Sequence, residues 1–87
     1  MQEIWTATFA IGYDAGSDAD RDKIDVLLDT LMAHHTQAKM RETLRLFPGR
    51  EVWSTHPIPL SHGRARITWE YNGDRSAIHL IAVAHIE

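Results

Sequence analysis

The sequence predicts an α+β fold of the order β-α(α)-β-β-β, in which one or two helices pack on one face of a mostly antiparallel sheet. Three observations support this prediction. An alternating apolar segment opens the chain, a segment with helical apolar spacing follows it, and three β-rich segments separated by turn signals fill the second half. With 87 residues, the chain is expected to form a single domain over residues 1–87.

The opening segment, IWTATFAIGYD, alternates between apolar residues and small or polar residues. This period of two predicts a strand over residues 3–13. Trp5, Phe9 and Tyr13 would then share one face of the strand. The loop DAGSDAD follows, and Ser17 at its centre is suited to cap the start of a helix.

A helix is predicted over residues 20–35, because apolar residues recur there at spacings of three and four. The segment TQAKMRETLRLF at 36–47 shows similar spacing, with Met40, Leu44 and Phe47 on one face. The sequence leaves open whether the two segments form one bent helix or two helices. The Pro-Gly pair at 48–49 ends the helical part.

Three strands are predicted after the helical part. Residues 50–60 have β-forming residues, but Pro57 and Pro59 lack the N–H donors of a ladder, so this strand should lie at an edge or end near His56. The segments RARITWEY and RSAIHLIAVAHI predict the other two strands. Between them lies Asn72-Gly73, a pair typical of the two-residue type I′ turn of a hairpin.

That turn predicts a register in which Glu70 faces Arg75 and Arg66 faces His79. One face of the hairpin is then wholly apolar and should pack on the helices; it comprises Ala65, Ile67, Trp69, Ile78, Leu80, Ala82 and Ala84. The opposite face would carry a cationic strip formed by Arg64, Arg66, His79 and His85. An antiparallel sheet often exposes a polar face, and this is one interpretation of the strip. The other is an anion site in which arginine holds a phosphate and histidine moves a proton.

Composition excludes several other classes of site. The chain has no cysteine, so disulfides, thiolate metal sites and cysteine nucleophiles are absent. His34 and His35 are adjacent on the predicted helix and cannot chelate one metal ion together. No motif for a metal, a nucleotide or a cofactor is present, so we expect neither metal nor cofactor. No signal peptide and no apolar run long enough for a membrane is seen, and a cytoplasmic protein without membrane contact is expected.

The segment RITWEYNGDRSAIHLIAVAH resembles the RelE/ParE superfamily of toxins, including HigB-like and phage-encoded members. In that family the chain commonly ends in an arginine-led apolar strand, an Asp-Gly or Asn-Gly turn, and an apolar strand before a Gly-His or Gly-Lys pair. The resemblance covers residues 50–85 and the helices in outline. It implies a toxin of a toxin–antitoxin module that acts on mRNA and translation or on DNA gyrase.

The resemblance also implies roles for individual residues. Arg66 and His85 match the catalytic positions of the family, and His56 lies near the basic residues of its second strand and is expected to bind the target. Arg64 and His79 are expected to bind the target as members of the cationic strip. Ile86 stands where the family has an arginine, so the sequence leaves open whether the chain cleaves RNA. The implied partners are a cognate antitoxin and RNA on the ribosome.

A second interpretation is a non-enzymatic, phage-type protein that inhibits a host complex, as anti-CRISPR proteins do. The formal net charge is −3, and a row of carboxylates that can imitate phosphates begins the predicted helix: Asp18, Asp20, Asp22, Asp25 and Asp29. The partner would then be a host protein complex. The sequence also leaves open a homodimer formed through an edge strand.

Overall fold

The computed structural model describes residues 1–43 and 49–86. In chain order the elements are β1 (Gln2–Trp5), α1 (Ala7–Asp14), α2 (Asp18–His34), a 3₁₀ helix (Ala38–Met40), β2 (Glu42–Thr43), β3 (Trp53–Ser54), β4 (Ile58–Pro59), β5 (Arg64–Tyr71) and β6 (Ala77–Ile86). The strands of this described part form one sheet in the order β1-β6-β5-β3-β2, and β4 pairs with β5 outside that path. Only β1 and β6 run parallel within it. The predicted α+β fold with a mostly antiparallel sheet is therefore confirmed.

Residues 7–14 form helix α1, so the prediction of a continuous strand over 3–13 is wrong. The strand ends where Thr6 caps the helix: its Oγ1 accepts a hydrogen bond from Phe9 N at 3.0 Å and donates one to Ile81 O at 2.8 Å. The rings of Phe9 and Tyr13 both contact the ring of Trp5. These aromatic residues are four positions apart, a spacing that fits a strand face and a helix face equally.

The predicted helix over 20–35 is confirmed as α2, with Ser17 as its N-cap; Ser17 Oγ accepts a hydrogen bond from Asp20 N at 3.2 Å. The apolar stripe of α2 packs against the sheet in a core that also includes α1. The buried members of this core are Phe9, Ile24, Leu27, Leu28, Leu31, Met40, Ala65, Ile67, Trp69, Ile78, Leu80 and Val83.

The helix predicted over 36–47 does not form in the part of that segment which the structure describes. A single 3₁₀ turn places Met40 in the core, and the chain then enters β2, which pairs with β3. The remaining predicted residues of the helix and its Pro48 stop lie outside the described residues. At Glu42 and Thr43, the pairing of β2 with β3 therefore outweighs the helical preference that the apolar spacing indicated.

The predicted strand over 50–60 is divided into β3 and β4. After β3, the backbone N–H of Thr55 still donates a hydrogen bond of 2.9 Å to Ile67 O in β5. The chain then leaves the ladder at His56, whose N–H donates to Lys39 O at 2.8 Å. The expected end near His56 is therefore confirmed, and Pro59 is tolerated because β4 is only two residues long.

The hairpin has a different register from the predicted one. Glu70 pairs with His79 and Arg66 pairs with Ala84, rather than with Arg75 and His79. Asn72 does not enter a two-residue turn, because its Oδ1 accepts a hydrogen bond from Ala77 N at 2.9 Å and closes a longer loop. The positive φ in this loop belongs to Arg75, at 59°, and not to the Asn72-Gly73 pair.

A β-bulge in β6 divides the hairpin into two parts. Thr68 pairs with Ala82 and Trp69 with Leu80, so Ile81 is an extra residue on β6. The side chains of β6 after Ile81 therefore lie on the opposite face of the sheet from the one that uninterrupted alternation would give them. Val83 is buried opposite Ile67, and the prediction that Ala82 and Ala84 lie on the helix-facing side is wrong.

The described sheet ends at β1 on one side and β2 on the other. Both are short, four and two residues long, and a homodimer through either edge stays a prediction. Within residues 1–43 and 49–86, neither helix has the length and apolar character needed to cross a membrane.

Candidate functional site

The polar residues of β5 alternate with apolar residues of the core, so they lie on the sheet face opposite the helices. Arg64, Arg66, Thr68 and Glu70 occupy this side of β5, and His79 joins them from β6 as the partner of Glu70. These five residues are named the outer face below. The common side of the four β5 residues was predicted from their alternation and is confirmed. His79 was predicted on this side as the partner of Arg66, and it lies there as the partner of Glu70.

Arg66 has an unusual environment within the outer face. Its Nε atom is buried and has no hydrogen-bond partner among the described residues. Buried guanidinium nitrogens are normally satisfied, and leaving one unpaired costs about 1–3 kcal/mol or more. Arg64 lies two positions along the same strand and is exposed. The guanidinium groups of Arg66 and Arg64 match an anion that has several oxygen atoms, such as a phosphate or a carboxylate.

Glu70 neutralises the other end of the outer face. Glu70 Oε1 lies 2.6 Å from Arg50 Nη2, and Glu70 Oε2 lies 3.3 Å from Arg50 Nε. His79 Nδ1 lies 3.5 Å from Glu70 Oε1. A carboxylate at Nδ1 orients an imidazole ring and leaves Nε2 for other contacts. This end is therefore a preformed ion-pair network, unlike the Arg66 end.

Arg66 and His79 lie at different levels of the outer face. His79 pairs with Glu70, which lies four positions beyond Arg66 on β5, or about 13 Å at the usual rise per residue. The described outer-face residues next to Arg66 are Arg64 and Thr68, neither of which is an ordinary general base. The outer face can bind and stabilise negative charge, and the described neighbours of Arg66 along β5, together with its β6 partner Ala84, supply no general base.

His85 lies on the other side of the sheet. It pairs with the core residue Ala65, and its Nε2 lies 3.0 Å from the carbonyl oxygen of Gly12 in α1. Because a carbonyl only accepts hydrogen bonds, Nε2 is the donor. The predicted strip of Arg64, Arg66, His79 and His85 on one face is wrong, since the extra residue Ile81 turns His85 toward the helices.

His56 also lies away from the outer face. It lines a groove of about 260 Å³ between β4 and α2, together with Val26, Ile58 and two lysines, Lys23 and Lys39. Arg66 and His85, the two predicted catalytic residues, are thus separated by the sheet, and His56 is on the helix side. The binding role predicted for His56 stays a prediction.

A polar aromatic cluster at the hairpin end of the sheet was not predicted. Tyr71 Oη lies 2.6 Å from His35 Nδ1 and accepts a hydrogen bond from Arg41 Nη2. The Arg41 guanidinium also lies over the Trp53 ring, and Trp53 contacts Tyr71 edge to face. These residues come from four separate segments, so no local spacing in the sequence could reveal the cluster.

The acidic row on α2 is largely engaged within the chain. Ser61 donates two hydrogen bonds of 2.9 Å to Asp20 Oδ1, from its backbone N–H and its hydroxyl, and these lower the pKa of Asp20. Asp25 accepts a hydrogen bond from Tyr13, which raises the pKa of the tyrosine. Asp18 pairs with Arg21. Asp20 and Asp25 are therefore engaged within the chain, whereas Asp18, Asp22 and Asp29 remain exposed.

No group of three or more His, Asp or Glu residues within 1–43 and 49–86 is placed to hold a metal ion. The described residues thus offer charged and aromatic side chains for recognition of a ligand. Their chemistry is that of arginine side chains, carboxylates held in ion pairs and aromatic rings in edge-to-face contact.

Comparison with solved structures identifies the fold. The chain is similar to a free form of the Escherichia coli toxin RelE in which two arginines are replaced by alanine, with a TM-score of 0.68 and 12% identity over 97% of this chain and 81% of that one. It is also similar to a chain of the intact E. coli RelBE toxin–antitoxin complex, with a TM-score of 0.69 and 13% identity over 99% of this chain and 96% of that one. No protein-family model matches the sequence. No curated protein matches it either.

At these identities the likeness establishes the fold. The chain has the RelE-type toxin fold over nearly its whole length. The resemblance found in residues 50–85 is therefore confirmed as a resemblance of fold.

Proposed function

We propose that this chain is the toxin of a RelE-type toxin–antitoxin module and that its outer face binds RNA phosphates through Arg66. The observation that carries the proposal is the half-buried Arg66, which lies on the sheet face opposite the helices and whose Nε has no partner among the described residues. Phosphate oxygens are well matched to such a fork. The neighbouring exposed Arg64 adds charge for the next part of an RNA backbone.

The proposed action is interference with translation through bound RNA. Metal-free cleavage of RNA needs a base for the 2′-hydroxyl and a cation for the charged phosphorane. Arg66 can supply the cation, and the described outer face has no base beside it. The His79–Glu70 pair, about 13 Å along the sheet, would contact a different nucleotide. We therefore propose that Arg66 holds a phosphate of mRNA at the ribosome, in the cytoplasm.

The acidic net charge does not oppose RNA binding. The carboxylates of α2 lie on the helix side of the sheet, and Arg64 and Arg66 lie on the opposite side. The sheet thus separates the negative surface from the outer face, where a local positive potential can attract phosphate.

A cognate antitoxin is the proposed protein partner. The RelBE structure is described as a toxin–antitoxin complex, and this chain matches it over nearly its full length. The alternative of an inhibitor that imitates phosphates has less support, because Asp18, Asp20 and Asp25 are already bonded within the chain. The expression experiment distinguishes DNA gyrase from translation as the target.

Inducible expression in a bacterium tests the proposal. We expect the chain to arrest growth and amino-acid incorporation while plasmid supercoiling stays normal. Arg66→Ala should remove the arrest at equal protein level, and Arg66→Lys should retain part of it because the charge remains. Lys23→Ala removes an exposed charge on α2 and serves as the control with full arrest.

Unchanged arrest by Arg66→Ala would contradict the assignment of the site. Normal growth with the wild-type chain would contradict the toxin function in that host. Arrest with relaxed plasmid and normal incorporation would assign the target to gyrase.

A further inference from the structure

We propose that the exposed side of α2 is a dimerisation surface, on which a second copy of this chain packs its own α2 in the antiparallel direction. The residues that form this surface are all exposed and share one side of the helix: Ala19, Lys23, Val26, Asp29 and Ala33. They are named the α2 face below. The α2 face lies across the sheet from the outer face, so the inference goes beyond the proposed function and does not depend on it.

Val26 occupies the centre of the α2 face, and its side chain is 67% exposed. A single exposed apolar residue is ordinary on a protein surface. Here, however, the apolar surface continues from Val26 into a groove of about 340 Å³ between α2 and β4, which is also lined by Ile58 and Pro59. A helix that covered Val26 would therefore bury a connected apolar surface, and this burial supplies the attraction.

The residues of the α2 face are spaced symmetrically about Val26. They follow one another at intervals of four, three, three and four residues. A two-fold axis through Val26, perpendicular to the helix, therefore places each residue opposite the one at the same distance on the other side of Val26 in the second copy. Val26 then meets Val26, Lys23 meets Asp29, and Ala19 meets Ala33. Alanine at both ends of the contact leaves room for a close approach of the two helix axes.

The two Lys23–Asp29 contacts fix the direction of the packing. Neither residue forms an ion pair with another described residue of its own chain. In the antiparallel arrangement each lysine faces an aspartate, whereas parallel packing would set lysine against lysine and aspartate against aspartate. Exposed ion pairs add little to affinity, but like charges in contact oppose association. The charges therefore select the antiparallel direction, and the identical chain is the partner that they fit.

The contact between two α2 faces is small. Helix α2 has 17 residues and is about 25 Å long at the usual rise per residue. Interfaces of standard size give Kd values between about micromolar and picomolar, and one helix face buries less surface than they do. We therefore expect a reversible dimer with a Kd above about 1 µM. Each copy keeps its outer face open in this dimer, so growth arrest is not expected to require it.

Sedimentation equilibrium of the full chain, from about 10 µM to about 1 mM, tests the proposal. Lys23→Asp and Asp29→Lys each set like charges against each other at both ends of the contact, and each should raise the Kd at least about tenfold. Val26→Glu should do the same, because it places two carboxylates at the two-fold axis. Asp14→Lys makes the same change of charge at an exposed position of α1 and should keep the wild-type Kd.

An equimolar mixture of the Lys23→Asp and Asp29→Lys chains is the sharpest measurement. In their heterodimer the two reversed positions face each other, and so do the two native ones, so both contacts again join opposite charges. The mixture should dimerise with about the wild-type Kd, although neither variant does so alone. Recovery in the mixture would also show that both variants are folded.

A wild-type chain that stays monomeric up to about 1 mM would overturn the proposal. So would a dimer whose Kd is unchanged by Lys23→Asp, Asp29→Lys and Val26→Glu, because it would use another surface, such as an edge of the sheet. A mixture that does not recover, while both variants keep the wild-type circular dichroism spectrum, would also overturn it. Growth arrest by a chain that is monomeric would remove the dimer and leave the proposed function, and dimerisation of a chain that causes no arrest would do the reverse.

Discussion

His85 lies directly across from Ala65 in the β5–β6 ladder, so its imidazole begins on the helix side of the sheet. Its Nε2 contacts the carbonyl oxygen of Gly12 at 3.0 Å. Arg66, the next residue along β5, faces the opposite side. The two residues that match catalytic positions in the sequence therefore cannot contact the same phosphate.

Replacement of His85 tests this separation. We expect His85→Ala to retain growth arrest and to lower the free energy of unfolding by only about 1 kcal/mol, since one exposed hydrogen bond is lost. Growth curves and thermal unfolding of the purified variant measure the two effects. Loss of arrest at an unchanged Tm would restore His85 to the site and refute the present assignment.

Gly12 allows α1 to approach β6 closely. A Cβ atom at this position would lie 3.0 Å from Val83 O and 3.1 Å from Val83 Cβ. We expect Gly12→Ala to destabilise the chain by about 1–2 kcal/mol, because overpacking outweighs the gain of up to about 1 kcal/mol in helix propensity. Denaturant unfolding measures the change.

Gly73→Ala is the matched control, because no atom lies within 4 Å of its added Cβ and its φ is not positive. Its stability should change by less than about 0.5 kcal/mol. A Gly12→Ala chain as stable as this control would show that the helix and strand are less closely packed than described.

Asp20 links the start of α2 to the loop before β5. The backbone N–H and the hydroxyl of Ser61 hold the pKa of Asp20 below its usual value. A carboxyl with a lower pKa in the folded state stabilises the fold above the unfolded value of about 4, and this contribution is lost as the pH falls through the folded pKa. Asp20→Asn should therefore lower the Tm at pH 7, and the difference from the wild type should shrink below about pH 4.

Thermal unfolding between pH 2 and pH 8 checks this dependence, with the exposed Asp22→Asn as the control. The control should follow the wild type at every pH. A Tm difference for Asp20→Asn that stays constant over the whole range would contradict the role of the charged carboxylate.

Local sequence patterns predicted the parts of the fold in which the apolar residues follow only one spacing, either that of a helix or that of a strand. The stripe of α2 and the alternation of β5 each indicated the correct element and the correct face. The segment around α1 was misassigned because Trp5, Phe9 and Tyr13 fit both periods. Thr6, whose cap decides between them, carries no strong signal within an alternating run.

The candidate site was predicted only in part. Arg64, Arg66 and Glu70 were placed correctly by alternation within β5. The position of His85 depended on the bulge at Ile81, and a single added residue has no signature in the sequence. The Tyr71 cluster depends on contacts between distant segments, which local spacing cannot show.

A reconstituted bacterial translation reaction tests whether Arg66 holds mRNA at the ribosome. Purified wild-type chain and Arg66→Ala, at equal concentration and with matched Tm, would be added while protein synthesis and mRNA integrity are followed. We expect the wild type to inhibit synthesis and Arg66→Ala to do so at least about tenfold less, since one charge-assisted phosphate contact is lost. Equal inhibition by both chains, or none by the wild type, would contradict it.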